Sequence, residues 1–372
     1  MVLTLQLPPT LIIGAGASLQ VVSEANRLGV LRPLLVIDPY LCDSRAATLL
    51  QESLPTAVFA GVRPDPDLEV VAQGLDALRA HQADGVVALG GGSAIDAAKA
   101  IAILATNAGP LANYMGCHRI PRPGLPLIAI PSTAGTGSEA TRITVITDGP
   151  RKVKMMILDG HLLPAVALVD YELSLSMPAA LTAAVGLDSL THALEAYVSR
   201  KASPFSDAIA LEAGRLIVPH LRRAYSNPQD LSAKEAMMTG ATLAGMAFSN
   251  ASVALVHGMS RPLGAYFHIP HGLSNAMLLP AITRFSYSAN PGRYDDFASH
   301  TGLGSDMLAA LDAFNRDLHV PTLREYGVSE SAYRGGLPQM ADDALASGSP
   351  ANNPRLPSRN EILALYQEVY AL

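Results

Sequence analysis

Short apolar runs alternate with amphipathic helical patterns through the first half of the chain, and this alternation narrows the possible folds more than any other feature. Runs of β-type residues fall at 33–37, 57–62, 85–89, 125–130 and 165–169. Between them lie Ala- and Leu-rich segments such as 67–81 and 94–105, with apolar residues at helical spacing. Strands separated by helices read as a parallel sheet covered by helices. A further β-rich run at 143–147 precedes a polar turn at 148–151 and suggests one arm of a hairpin. After about residue 175 the texture changes. Segments 179–198, 207–225, 231–247 and 308–318 read as helices, 359–371 as one more amphipathic helix, and no strand stands out. A chain of 372 residues is too long for one compact core. The sequence therefore predicts an α/β domain at 1–177 and an all-helical domain at 178–372, divided between Met177 and Pro178.

Charge and cysteine content exclude several classes of partner. The net charge is −6 and there is no long Lys/Arg run, which argues against nucleic acid or an anionic membrane. The basic residues at 151–154 and the pair Arg222 and Arg223 read as local surface charge. Cys42 and Cys117 cannot build a disulfide framework and form no CxxC pattern, as expected in a reducing compartment. The first basic residue is Arg27, and Pro8 and Pro9 interrupt the early apolar stretch, so no signal peptide is read there. No apolar run reaches the length of a bilayer span. A soluble, cytoplasmic protein is expected.

Two polar glycine loops each follow a β-type run. The first, GGGSAIDAAK at 90–99, places Gly91, Gly92 and Ser93 where backbone amides can approach an anion, with the helix behind them pointing its positive end the same way. It has neither Rossmann nor P-loop spacing, and a tight turn with a helix cap reads equally well. Asp96 and Lys99, on the first turns of that helix, are placed to hold the loop by hydrogen bonds. The second, PSTAGTGSE at 131–139, offers the hydroxyls of Ser132, Thr133, Thr136 and Ser138. Such a pair suits a dinucleotide at the carboxyl ends of the strands. The segment GAGAS at 14–18 lacks a third glycine and reads as a turn beside the cofactor. Asp38, ending the run at 33–37, is either a ribose-binding carboxylate favouring NAD over NADP or a helix cap before Pro39.

Histidine is rare, ten in all, yet His257, His268 and His271 fall within fifteen residues. Upstream, Asp188 and His192 are four apart in the helical segment VGLDSLTHALEAY and share one helix face. Pro262 and Pro270 bracket a break that puts His257 and His271 in separate elements. One carboxylate with three imidazoles suits Fe²⁺ or Zn²⁺, whereas any single histidine reads equally as a core or surface residue.

Taken in order, GGGSAIDAAK, PSTAGTGSEAT, GLDSLTHALEAY, HGMSRPLGAYFHIPHG and DDALASGSPANNPR resemble the successive signature segments of the iron-containing (group III) alcohol dehydrogenases. The resemblance spans nearly the whole chain. It implies an α/β dinucleotide-binding domain with a parallel sheet, then an all-α metal-binding domain, a dehydroquinate synthase-like architecture with the active site in the cleft between them. It implies metal ligands Asp188, His192, His257 and His271. It implies cofactor contacts from Asp38, Gly92, Ser93, Thr133, Thr136 and Lys154, with Leu173 near the nicotinamide. The activity implied is hydride transfer between a nicotinamide dinucleotide and a small alcohol or its aldehyde or ketone, with NAD(H) favoured over NADP(H) where Asp38 meets the ribose. One Fe²⁺ or Zn²⁺ would polarise the substrate oxygen, and the protein would be a homodimer or larger homo-oligomer. The sister alternatives are a polyol dehydrogenase, a maleylacetate-type reductase, a dehydroquinate synthase-like lyase or a non-catalytic nucleotide- or metal-binding protein; the four ligands and HIPHG favour the alcohol dehydrogenase branch. Two positions depart from the family pattern. Arg261 stands where the family often has the second histidine of HxxxH, which leaves the proton to His268, the cofactor ribose or water. An arginine there suggests an anionic group on the substrate, or a salt bridge. Asp65, in GVRPDP, stands where the family commonly has Asn.

Overall fold

The computed structural model describes residues 3–149, 151 and 153–371. The chain forms two compact units, one up to Leu175 and one from Ser176.

The first unit is built on a six-stranded sheet. Its strands are β1 (Thr10–Ile13), β2 (Pro33–Ile37), β3 (Ala57–Phe59), β4 (Gly85–Gly90), β6 (Leu127–Pro131) and β9 (Val166–Val169), in spatial order β1-β9-β6-β4-β2-β3. Every pairing is parallel. Side chains alternate across a strand, and the two faces fill different cores. Leu34, Val36, Val86, Ala88, Leu127 and Ala129 pack with α3 (Leu68–His81) and α4 (Gly92–Leu104). Leu35, Ile37, Val87, Leu89, Ile128 and Ile130 pack with α1 (Val21–Arg27) and α2 (Arg45–Ser53). Burial on both faces explains why these strands read as unbroken apolar runs. The run expected at 57–62 stops at Phe59, where this edge strand loses its single partner β2. The run at 143–147 is one arm of an antiparallel hairpin, β7 (Ile143–Asp148) with β8 (Val153–Leu158), joined by the short β5 (Gly116–Cys117).

One buried ammonium fixes the loops. Lys99, 1% exposed, donates from Nζ to the carbonyls of Ser138, Thr141 and Ile143 at 2.7–2.9 Å and to the hydroxyls of Ser138 and Thr141. Burial pulls its pKa down to about 8, against the charges of Asp96 and Glu139. Asp96 accepts from Ser138 Oγ at 2.6 Å and from the Val145 amide at 2.9 Å. Helix α4 is thereby tied to the chain that follows β6.

The second unit has no strand among its described residues. Its helices are α5 (Ala179–Val198), α6 (Pro204–Ser226), α7 (Leu231–Ala251), α8 (Leu255–Phe267), α9 (His271–Tyr287), α10 (Pro291–Thr301), α11 (Met307–Asp317), α12 (Glu330–Ala346) and α13 (Arg359–Ala371). Helix α5 is buried at every residue from 186 to 198 and packs against α6, α7, α9 and α10. The break that Pro262 and Pro270 bracket in the sequence is found between them, and Pro262 itself stays within α8. It costs α8 one hydrogen bond, but α8 is packed against α9 and α12 and continues to Phe267. The break comes at His268, in the left-handed region at φ 55°. Among the described residues no single helix is long and apolar enough to cross a membrane.

Replacing Lys99 with Met takes the ammonium from three carbonyls, of which Ser138 keeps the Thr141 amide while Thr141 and Ile143 lose their short contact to Lys99. At about 1–3 kcal/mol for each carbonyl left short, Lys99→Met is expected to lose about 2–6 kcal/mol in urea unfolding, and unchanged unfolding would show that Lys99 is not the staple of these loops.

Candidate functional site

Strand order directs attention to one crevice in the first unit. The connection leaving β2 leads to β3 on one side and the connection leaving β4 leads to β6 on the other. Ligands bind at the carboxyl ends of the strands where the order diverges in this way. Asp38 follows β2 at that point, and Gly91 and Gly92 follow β4. Asp38 does not cap the short helical turn after it with its side chain; its Oδ2 instead accepts the Gly91 amide at 2.9 Å. Gly91 is the N-cap of α4, with Gly92 and Ser93 as its first helical residues and no side-chain cap. A Cβ on Gly92 would lie 2.6 Å from Thr136 Cγ2, so glycine lets the two loops lie side by side. Gly91 is in turn 3.4 Å from Thr133 in the same sense. Ser132 is buried, with its hydroxyl 3.2 Å from Tyr40 Oη.

Other residues singled out from the sequence are distributed differently. Asp96 is committed to Ser138 and Val145, so it shapes the second loop rather than the first. Lys154 lies on β8 and pairs with Asp65 at 2.7 Å. Leu173 packs partly buried against the α1–α2 face of the sheet. At the GAGAS turn, Ser18 bonds Asp170 at 2.6 Å.

In the helical unit Asp188, His192, His257 and His271 each present one donor atom, and these atoms lie within 4.8 Å of one another. The Nε2 atoms of His192, His257 and His271 stand 3.8, 3.6 and 3.9 Å from one oxygen, Asp188 Oδ1. Donors around a tetrahedral metal with bonds near 2.0–2.2 Å stand roughly 3.3–3.6 Å apart. Helix α5 supplies the Asp188–His192 pair from consecutive turns, α8 supplies His257 and the first residue of α9 is His271. The rings stack, His192 on Phe248 of α7 at 4.2 Å and on His257 at 4.6 Å. Gly272 brings α9 in: a Cβ there would be 2.6 Å from the Ala184 carbonyl oxygen of α5.

Two further residues belong to this cluster. Glu195, 3% exposed, accepts His257 Nδ1 at 2.7 Å. A carboxylate has no proton to offer, so Nδ1 carries the hydrogen and Nε2 presents a lone pair. Asn275 directs Nδ2 at Asp188 Oδ1, His257 Nε2 and His271 Nε2, at 2.6, 3.1 and 3.2 Å. Two amide hydrogens cannot serve three converging acceptors, and Asn275 Oδ1 has no partner among the described residues. This shortage of donors around one point is what a divalent cation would relieve, so the residues fit a metal. Burial pushes the Asp188 carboxyl up, but His192, His271 and His257 outweigh it and hold it well below the usual range. Burial pushes the His257 imidazole down, but Asp188 and Glu195 outweigh it and hold it above its ordinary value. The sequence carried a signal for both added residues. Glu195 is seven positions after Asp188 on an otherwise apolar helix, and Asn275 is four after His271. Outside the four-donor cluster, Arg261 donates to Ser349 Oγ at 3.0 Å, and His268 is exposed at the end of α8.

Comparison with known proteins follows the same lines. The description iron-containing alcohol dehydrogenase matches residues 8–171, and that of the C-terminal part of the Fe-containing alcohol dehydrogenase family matches residues 182–370. The 1,3-propanediol dehydrogenase of Citrobacter freundii is 38% identical over 372 residues, 95% of this chain and 95% of that protein. A solved 1,3-propanediol oxidoreductase superposes with a TM-score of 0.95 at 37% identity, over 99% of this chain and 100% of that one. The sulfoacetaldehyde reductase of Bifidobacterium kashiwanohense, in complex with NAD⁺, superposes with a TM-score of 0.90 at 28% identity, over 100% of this chain and 99% of that one.

His257→Ala and His271→Ala are each expected to strip the divalent metal from the purified protein and leave dinucleotide binding largely intact. Elemental analysis beside a dinucleotide titration reads both quantities, and normal metal content in both variants would remove these histidines from the ligand set.

Proposed function

This chain belongs to the iron-containing alcohol dehydrogenase family and is an alcohol/aldehyde oxidoreductase, and we propose that it interconverts a small alcohol and its aldehyde or ketone with NAD(H) and one Fe²⁺ or Zn²⁺ held by Asp188, His192, His257 and His271. The observation that carries this reading is the set of three imidazole nitrogens facing one buried carboxylate oxygen at 3.6–3.9 Å. When bound, the cation supplies Lewis acidity to the substrate oxygen and the dinucleotide gives or takes the hydride. The protein's own groups do the remaining work. Asp188 contributes the single negative charge of the ligand set. Glu195 holds His257 with its lone pair turned inward, and Asn275 steadies Asp188. On the nucleotide side the amides of Gly92 and Ser93, at the positive end of α4, receive a phosphate, with Gly91, Ser132, Thr133 and Thr136 around it. Asp96 acts through the second loop, and Lys154 and Leu173 complete the cofactor contacts. Asp38 accepts from a ribose hydroxyl and repels a 2′-phosphate. His268, an imidazole at the surface, is the proposed carrier of the proton. A soluble cytoplasmic homodimer or larger homo-oligomer belongs to the same proposal.

The finer part concerns Arg261, one helical turn beyond His257 on the same face of α8. Burial draws its pKa down, the charge of Glu195 counters this, and arginine stays protonated. Its fork of donors suits a carboxylate, sulfonate or phosphonate on the substrate. The likeness to a reductase of sulfoacetaldehyde, an anionic aldehyde, supports that class.

The decisive experiment follows NADH absorbance with a panel of short aldehydes before and after chelation. Turnover that chelation abolishes is expected; no turnover with any aldehyde would leave a binding protein. Asp38→Gly should lower the ratio of kcat/KM for NAD(H) over NADP(H), and an unaltered protein that already prefers NADP(H) contradicts the role of Asp38. Arg261→His should cut selectivity for acidic over neutral aldehydes of matched length more than tenfold, since a charge-assisted bond contributes about 1.5–3 kcal/mol. Equal losses for both aldehydes would assign Arg261 to structure.

A further inference from the structure

Helix α8 begins without a cap of its own. Its N-cap residue is Ala254, whose side chain accepts no hydrogen bond, although the first amides of any helix lack partners within it. The approach to it is tight. Ser252, ending α7, lies at φ +67° and ψ 157°, a conformation that favours glycine and that surrounding contacts must hold in place. Two distant side chains provide those contacts. Asn352 donates from Nδ2 to Ser252 Oγ at 3.0 Å and to the Val253 carbonyl at 3.1 Å. Glu195, reaching across from α5, accepts the Ala254 amide at Oε2, 2.9 Å away, and the Val256 amide at Oε1, 2.6 Å away.

The same Oε2 faces His257 Nδ1 at 2.7 Å. All three contacts require an acceptor, and an ionised carboxylate is the side chain that offers nothing else. A negative charge at a helix N-terminus is also electrostatically favoured. The ring nitrogen left with its lone pair, His257 Nε2, is the atom 3.6 Å from Asp188 Oδ1.

We infer that Glu195 is a positioning residue of the metal centre: one buried carboxylate caps α8 in place of a local side chain and fixes the His257 tautomer, so the start of the helix and the ligand atom are set together. The inference rests on the metal reading proposed above. It separates Glu195 from a buried charge that merely stabilises the fold, because only a positioning role reaches the ligand atom.

Two measurements on the 372-residue chain decide it. In the metal-free wild type at mildly alkaline pH, nitrogen-15 spectra of labelled histidine should show the His257 proton on Nδ1; a proton on Nε2 would overturn the inference without any substitution. The second uses Glu195→Gln, which keeps the shape and turns one acceptor into a donor aimed at N–H groups. Titrated with Co²⁺ alone, the variant should bind 10–100-fold more weakly than the wild type, with displaced Co²⁺ absorption bands. Hydrogen exchange at the Ala254 and Val256 amides should quicken. Unchanged affinity and bands in the variant would overturn the inference alone. A wild type that takes up no Co²⁺ would overturn the metal reading and this inference with it.

Discussion

Two carboxylates buried in α5, Asp188 and Glu195, set the terms on which the helical unit can fold. Taking an ionised carboxylate out of water costs several kcal/mol unless donors replace the water. Glu195 meets that demand with two backbone amides and an imidazole, which fixes where α8 begins. Asp188 meets it with the Asn275 amide and three surrounding imidazoles, which fixes how close α9 must come, and Gly272 removes the side chain that would prevent it. The proposed ligand set is therefore the solution to a burial problem posed by one helix. Coordination chemistry and packing are satisfied by the same atoms.

The α/β unit answers the same constraint with the opposite charge. Lys99 carries an ammonium into the interior, and three carbonyls and two hydroxyls from the segment after β6 gather around it. That gathering holds the second loop against the first at the divergence of the sheet. Asp96, one turn earlier on α4, tightens the same segment from its other side. The loops keep their composition of Gly, Ser and Thr, while their ends are anchored by the buried Lys99 and the partly buried Asp96.

Long apolar strands and amphipathic helices were legible because burial leaves a period in the sequence. The sheet strands from β2 onward and helices α5 and α13 follow directly from that period. Elements whose stability comes from elsewhere were not legible. Strand β1 is a half-buried edge, β8 is methionine-rich, and α12 carries two consecutive glycines and Pro338. Pro262 stays inside α8 because tertiary packing outweighs one lost hydrogen bond, while the break between Pro262 and Pro270 was legible. Within the site, spacing put Asp188 and His192 on one helix face, while the full set of four followed from the resemblance of the ordered motifs. Glu195 and Asn275 left only a positional trace, seven residues after Asp188 and four after His271, since the partners that give them their roles are distant in sequence, 62 residues for Glu195 with His257 and 87 for Asn275 with Asp188. Asp38 offered two readings in the sequence, and its bond to Gly91 removed the side-chain cap as one of them.

The placement of the four donors has a consequence for the life of the protein in a cell. Asp188, His192 and His257 are 2–4% exposed, and only His271 reaches solvent. A cation seated among them is bound by the folded helical unit and not by the open chain, so its supply acts as mass on the folding equilibrium. At a hundredfold excess over its dissociation constant the ion adds about 2.7 kcal/mol, a large share of the stability of an ordinary domain. On the metal reading proposed above, scarcity of the ion lowers the stability of the folded unit as well as the occupancy of its site.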